Sequence, residues 1–477
     1  MIVERFYEEK LAQASYLVGC GKTGEAIVID PNRNIGAYLK KAAEKGLRIV
    51  AVTETHIHAD YVSGNRELAH VAGATLYLSD EGTADWKYAF ANEANVKLVK
   101  DGDDITIGNL RLDVVKTPGH TPEHITFVLT DTPASREPYC AFTGDFIFAG
   151  DVGRPDLLER AAGIEGTMAE GARTLFDSLK RFRRYDDGLV LWPGHGAGSA
   201  CGKSLGGTPS TSLGYERKSN WGLQITDPDV FIEAVLEGQP DPPPYFKEMK
   251  RINKLGPALV HENSAPERIS PENLERLLDA GNLVLDVRAS SRSATSLIRG
   301  AINIPLDASF VTWAGWMVPY DEAIYLIADS ESEVLNASTD LALIGIDHVS
   351  GWIDADTLDI SRTLVVPQVT SMELLQAQSN NSIVVDVRSA SEYREGHIPG
   401  AVNIPLGRLA ERQHELPKHK RIIVQCRTGG RSAVAASVLQ NLGFENIANY
   451  PHGFVEYASL GLPIQTGSTT IEPALTK

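Results

Sequence analysis

The sequence predicts a layered α/β fold: one large domain followed by two small parallel-sheet domains. Three observations predict it. Strands and helices alternate through the first half, several of those strands end in a histidine or aspartate cluster, and one strand–turn–strand segment occurs twice in the second half at a constant offset of 100 residues. At 477 residues the chain is too long for a single ordinary core.

Hydrophobic residues make up 43% of the chain and charged residues 22%, ordinary values for a soluble globular protein. The net charge of -17 argues against nucleic acid or an anionic membrane as main partner, since either demands a basic face. The N-terminal MIVERFYEEKLAQASYLVG has acidic residues where a secretory signal needs a basic start and an unbroken apolar run. No stretch reaches the roughly 18 apolar residues of a membrane helix. Cys20, Cys140, Cys201 and Cys426 are widely scattered, which fits a reducing cytoplasm rather than a disulfide framework.

The elements follow in order. KTGEAIVIDP reads as a strand running into a turn, and RIVAVTETH as a strand that ends at the motif Thr55-His56-Ile57-His58-Ala59-Asp60-Tyr61. NRELAHVAG has helical spacing. LRLDVVKTPGH, HITFVLT and YCAFTGD read as strands, TMAEGARTLFDSLKRF as a helix, and GLVLWPGH as a strand. In such a fold, loops at one end of the strands gather the site. GAGSACGKSLGGTPSTSLG after His195 reads as a long irregular loop, and DPDVFIEAVLEG as a helix closed by the prolines of QPDPPPYF. A domain boundary is expected near 262, giving a first domain over 1–262.

LVLDVRASSRSATSLIRGAINIPL from Leu283 and IVVDVRSASEYREGHIPGAVNIPL from Ile383 are the two copies of the repeat. Asp286 pairs with Asp386, Arg288 with Arg388, Gly300 with Gly400, Asn303 with Asn403 and Pro305 with Pro405. Each copy reads as a strand, a helical turn, a Gly-Ala turn and a short strand, followed by the apolar strand AIYLIAD or RIIVQC. Two small domains over about 266–360 and 365–477 are expected, with a mobile tail at TGSTTIEPALTK.

The second copy's strand ends at Cys426 and continues Arg427-Thr428-Gly429-Gly430-Arg431 into the helical SAVAASVLQ. A cysteine there faces backbone N–H groups and a helix N-terminus, which favour its thiolate or an anionic persulfide, with Arg427 and Arg431 adding positive charge. Phosphatases place five residues between cysteine and arginine to cradle a phosphate. Four separate Cys426 from Arg431, a tighter ring suited to a sulfur atom. With the Asp-Val-Arg strand and the Gly-Ala-Asn-Ile-Pro turn, the segment resembles the rhodanese sulfurtransferases along its whole length. The first copy, YLIADSESEVLNA, has Asp329 where Cys426 stands, and reads as a catalytically dead rhodanese-like domain.

His56, His58, Asp60, His120, Asp145 and His195 occur as THIHAD, TPGHTPEH, TGDFIFAGD and WPGHG. Their order and spacing resemble the metallo-β-lactamase fold superfamily over about residues 1–240, which implies an αββα sandwich. Hydrolases of that superfamily such as glyoxalase II hold two ions, the second through a histidine after His-x-His-x-Asp. Tyr61 stands there instead, which favours one ion. His56, His120 and Asp145 would then form the two-histidine, one-carboxylate face suited to ferrous iron and oxygen. The full chain resembles the persulfide dioxygenase–rhodanese fusions, and TPGHT and FTGD match their motifs. That resemblance implies one Fe(II) per chain and a low-molecular-weight thiol persulfide and O2 as substrates. It further implies thiosulfate or sulfite as sulfur-transfer partners, and self-association. His58, Asp60, Tyr61 and His195 are expected around the ligands, and His124 in support of its loop. The alternative is a zinc thioester hydrolase of the glyoxalase II kind joined to a separate sulfurtransferase.

Cys201, six residues after His195 in a Gly/Ser loop, is expected near the mouth of the metal site as an acceptor or relay of sulfur. Arg154 in GDVGRPD is read as a binder of an anionic thiol or, equally, as a structural ion pair. Cys140 in the apolar YCAF belongs to the core, and Cys20 carries no assigned role.

Overall fold

The structure, a computed structural model, describes residues 1–160, 166–239, 242–260, 265–320, 322–358, 363–377 and 382–467. The expected boundary near 262 and most of the expected mobile tail lie outside the described residues. The chain forms two compact units, Met1–Asn263 with Thr339–Asp347, and Ser264–Ser338 with His348–Lys477.

The first unit holds two six-stranded sheets. One runs in chain order through Ile2–Glu8, Gln13–Cys20, Glu25–Ile29, Arg48–Thr53, Thr75–Ser79 and Val96–Val99. The other pairs Thr211–Ser212, Val190–Pro193, Cys140–Gly144, Ile125–Asp131, Leu110–Lys116 and Asp104–Ile107. Tyr16, Val18, Ile27 and Ile29 of one sheet meet Leu112, Phe127, Leu129 and Phe142 of the other in a buried core. Sheet faces pointing away from this core are covered by helices. Tyr38 and Leu68, from helices Ile35–Glu44 and Asn65–Ala72, cover Leu17, Val28 and Val52. Leu175 and Phe231, from Thr167–Phe182 and Pro228–Leu236, cover Val128, Ala141 and Leu191. The result is the αββα sandwich, each layer burying one apolar face against the next. Cys140 is core, as expected.

The second unit holds two four-stranded parallel sheets with the same strand order. They are Ile302–Asn303, Leu283–Asp286, Ile324–Ala328, Val349–Asp354, and Val402–Asn403, Ser382–Asp386, Arg421–Gln425, Ile447–Asn449. The repeated residues are structural. Arg288 pairs with Asp286 at 2.7 Å and Arg388 with Asp386 at 2.6 Å, all buried. Asn303 donates to the Asp286 and Arg288 carbonyls, and Asn403 donates to those of Asp386 and Arg388. Each copy thereby ties its first strand to its second at the edge, satisfying backbone carbonyls that the short strand cannot reach.

Among the described residues no helix is long and apolar enough to cross a membrane.

Candidate metal centre and sulfur site

The residues of the predicted centre follow the C-terminal ends of four strands: Arg48–Thr53, Leu110–Lys116, Cys140–Gly144 and Val190–Pro193. There the chain leaves the sheets and can turn its side chains into one pocket. His56, His120 and Asp145 converge, each offering a ligand atom within 4.8 Å of the others, and all three are buried.

Hydrogen bonds fix which nitrogen each imidazole presents. His56 Nδ1 lies 3.0 Å from Thr55 Oγ1, and its Nε2 is buried without a hydrogen-bond partner. His120 donates from Nδ1 to the Arg154 carbonyl at 2.9 Å, turning Nε2 toward Asp145 at 3.6 Å. Both carboxylate oxygens of Asp145 are buried with no hydrogen bond. Burial lowers the basicity of His56 and His120, so both are neutral and carry the lone pair a metal needs. Burial also opposes ionisation of Asp145, but the neighbouring His195 outweighs it and its carboxyl lies below the ordinary value.

A second group, Asp60, His195 and Cys201, lies against the first. His195 donates from Nδ1 to the Ala12 carbonyl at 3.1 Å, and its Nε2 faces Asp60 at 3.2 Å and Asp145 at 3.4 Å. Both Asp60 oxygens lack a hydrogen bond, and burial with the nearby Asp145 raises its pKa above the ordinary carboxylate range. Two buried carboxylates this close share a negative field that only a proton or a cation relieves. Cys201 departs from expectation. It lies beside Asp60 and His195 at the metal site but is 1% exposed rather than at the mouth of that site, and burial beside Asp60 and Asp145 pushes its thiol well above the ordinary range.

His58 packs against His56, ring centroids 4.2 Å apart, but belongs to neither group, and its Nδ1 is buried without a hydrogen bond. Its Nε2 meets Asp30 at 3.1 Å, and the Asp30 charge overcomes burial to raise it to about 9. Tyr61 is fully buried and donates to the Asp30 carbonyl at 3.2 Å. Asp30, which the sequence reading missed, is the hub of this loop: it also accepts the Thr55 N–H at 2.6 Å and the Thr55 hydroxyl at 3.1 Å. Its φ of +53 is a strained backbone for a residue with a side chain, and the strain aims its carboxylate. The available signal was an aspartate ending the strand EAIVID immediately before a proline. His124 receives the Asp145 N–H on Nε2 at 3.1 Å and meets Thr117 at 2.9 Å through Nδ1. Burial drives it down to about 3, so it is neutral and braces its loop.

Arg154 takes the second of its two expected roles, not that of a substrate binder. Its guanidinium is fully buried, donates twice to Asp156 at 2.8 and 2.7 Å, and donates to the Ala200 carbonyl at 2.8 Å. It is a structural ion pair with no free face for a substrate.

At the other site, Cys426 follows strand Arg421–Gln425 and is 1% exposed. Its Sγ accepts the Gly429 N–H at 3.1 Å, and helix Gly430–Asn441 begins immediately after. Gly429 has φ +96, and a Cβ there would lie 1.8 Å from the Pro451 carbonyl oxygen, so the cradle requires glycine. Arg427 and Thr428 are exposed. Arg431 differs from expectation: its two Nη groups donate to Glu392 at 2.7 Å each, so its charge is already matched. Burial opposes the Glu392 charge, yet Arg431 holds that carboxyl down to about 2. In the first copy Asp329 takes the place of Cys426, and Arg292 bridges it to Asp356 at 2.6 and 2.5 Å.

The profile of the metallo-beta-lactamase superfamily matches residues 9–195, and that of the rhodanese-like domain matches residues 370–460. A metallo-beta-lactamase structure from Staphylococcus aureus subsp. aureus COL is 40% identical, covering 74% of this chain and 98% of that one with a TM-score of 0.66. The mitochondrial persulfide dioxygenase ETHE1 is 32% identical in Bos taurus over 34% of this chain and 59% of that one. In Mus musculus it is 31% identical over 41% and 68%. A hydroxyacylglutathione hydrolase from Acaryochloris marina is 31% identical over 35% of this chain and 62% of that one. The chain thus spans less than two thirds of the length of the bovine and Acaryochloris relatives. It belongs to the metallo-β-lactamase superfamily. Within it, this chain is a fusion, with relatives among the persulfide dioxygenases and a rhodanese-like domain in its C-terminal part.

Proposed function

We propose that the chain oxidises a low-molecular-weight thiol persulfide to sulfite at an iron centre and transfers sulfur through Cys426. The observation that carries the first activity is the buried convergence of His56, His120 and Asp145, whose Nε2 and carboxylate atoms include three without hydrogen bonds. Two neutral imidazoles and one carboxylate suit ferrous iron and leave positions open. A bound ferrous ion supplies the redox chemistry with oxygen and a Lewis-acidic position for sulfur. The set has one carboxylate, Asp145, and Tyr61 stands where a second ion would take a histidine and is instead tied to the Asp30 carbonyl. That donor set favours one ion per chain.

The overall reaction consumes one thiol persulfide, one O2 and one water, and yields one thiol, one sulfite dianion and two protons. His195 and Asp60 sit where they can hold that water and accept a proton. His124 and Thr55 orient Asp145 and His56, and Asp30 locks His58 and Tyr61 out of the ligand set. At Cys426, attack of the thiolate on the outer sulfur of thiosulfate forms a cysteine persulfide and releases sulfite. The Gly429 N–H steadies the sulfur anion.

The test is anaerobic purification, iron loading and measurement of oxygen uptake and sulfite with glutathione or coenzyme A persulfide. Equal uptake of oxygen and release of sulfite is the expected outcome. The Asp60–His195–Cys201 group favours a second reading, a two-ion zinc thioester hydrolase. Thioester turnover by zinc-loaded protein, with no persulfide-dependent oxygen uptake, would establish that reading instead.

A further inference from the structure

The first compact unit includes one segment remote in sequence, Thr339–Asp347. It comprises the end of helix Glu331–Leu343 and the turn after it. The Leu343 carbonyl, a helix-terminal acceptor with no intrahelical partner, takes the Val62 N–H at 2.7 Å. Val62 is two residues beyond Asp60. Gly345 (φ +79) lies so close that a Cβ would stand 2.7 Å from Ile252 Cδ1 and 3.1 Å from Val62 Cγ2. Asp347 pairs with the buried Arg33, and Asp340 with Lys10 at 2.5 Å.

These contacts grip the metal loop from both ends. At the far end, Val62 is pinned by Leu343, alongside Asn253, which accepts the Ser63 N–H and donates to the His58 and Tyr61 carbonyls. At the near end, Arg33 follows closely on Asp30, the residue that orients Thr55 and His58. The other repeat shows what the segment gained. After helix Gly430–Asn441 the corresponding glycine is Gly443, preceded by the exposed Asn441 and half-buried Leu442. Leu343 and Ile344 are instead fully buried. The copy that lacks the thiol and glycines of the sulfur cradle carries an apolar turn in their stead.

We propose that residues 339–347 are a positioning element for the metal loop, setting its geometry without touching metal or substrate. This rests on the ligand assignment of the preceding section. The experiment uses the full chain with cobalt(II) as probe, and compares it with Asp340→Ala/Asp347→Ala and with Gly345→Ala. Three quantities are measured: cobalt affinity with its visible spectrum, exchange of the Val62 amide, and thiosulfate-dependent sulfur transfer. Outer contacts of metal ligands typically change affinity by 10–100-fold, so the double variant should lose about tenfold. Its spectrum should shift and its Val62 amide exchange faster, while sulfur transfer stays at the level of the unaltered chain. Unchanged cobalt affinity and spectrum in the double variant would overturn the proposal. Failure of the unaltered chain to take cobalt at all would overturn the ligand assignment, and the positioning role with it.

Discussion

His120 and Glu392 illustrate how single side chains separate the two proposed chemistries. Substituting His120 by Ala removes an imidazole whose orientation is fixed by the Arg154 carbonyl. Metal affinity should fall by more than roughly 100-fold, the upper range for changes one shell further out. Persulfide-dependent oxygen uptake should disappear, and thiosulfate-linked transfer should persist; metal analysis and both assays on one preparation check this. Glu392 belongs to the other site. Its carboxyl is held down from 4.5 to about 2, so its pairing with Arg431 contributes stability above about 4.5 that is lost as pH falls through about 2. Glu392→Gln should remove that contribution at neutral pH and flatten the acid limb of unfolding between those values. It also frees the Arg431 charge beside Cys426.

Helices and loops carry the geometry to these residues. Gly119, immediately before His120, backs onto Leu175 of helix Thr167–Phe182, where a Cβ would come within 2.4 Å of the leucine Cβ. Leu175→Ala should cost about 2–5 kcal/mol in denaturant unfolding, as buried leucines do, and weaken metal binding by letting His120 drift. Gly429→Ala places a side chain in a left-handed turn against the Pro451 carbonyl, and should abolish sulfur transfer while leaving oxygen uptake intact.

Much at this scale was legible in the chain itself. Helix Thr167–Phe182 coincides with the amphipathic stretch TMAEGARTLFDSLKRF, and Arg421–Gln425, Cys426 and helix Gly430–Asn441 follow the strand–cysteine–glycine–helix pattern. Strand Gln13–Cys20 was not legible, because it is buried at every residue and shows no alternation. Asp30, Asn253 and Glu392 were missed for a related reason. Their roles arise from partners up to 195 residues away, such as the His58 carbonyl for Asn253, and no local spacing encodes such contacts. Cys201 was read from its Gly-rich surroundings as an accessible group, and Arg154 equally as a ligand binder or a structural ion pair. Such loops here fold inward over a polar pocket, and burial decided their chemistry.

Over the whole molecule the two activities are expected to be separable in one chain. Cys426→Ser should eliminate thiosulfate-linked transfer and leave direct oxidation of a thiol persulfide unchanged, since the metal ligands and the sulfur cradle belong to different compact units. The central claim is the single ferrous centre at His56, His120 and Asp145. Its most direct test is anaerobic titration of the metal-free chain with ferrous iron, reading bound metal per chain alongside restored oxygen uptake. Saturation of both at one iron per chain is the predicted result. Saturation at two ions, or oxygen uptake that iron does not restore, would contradict it.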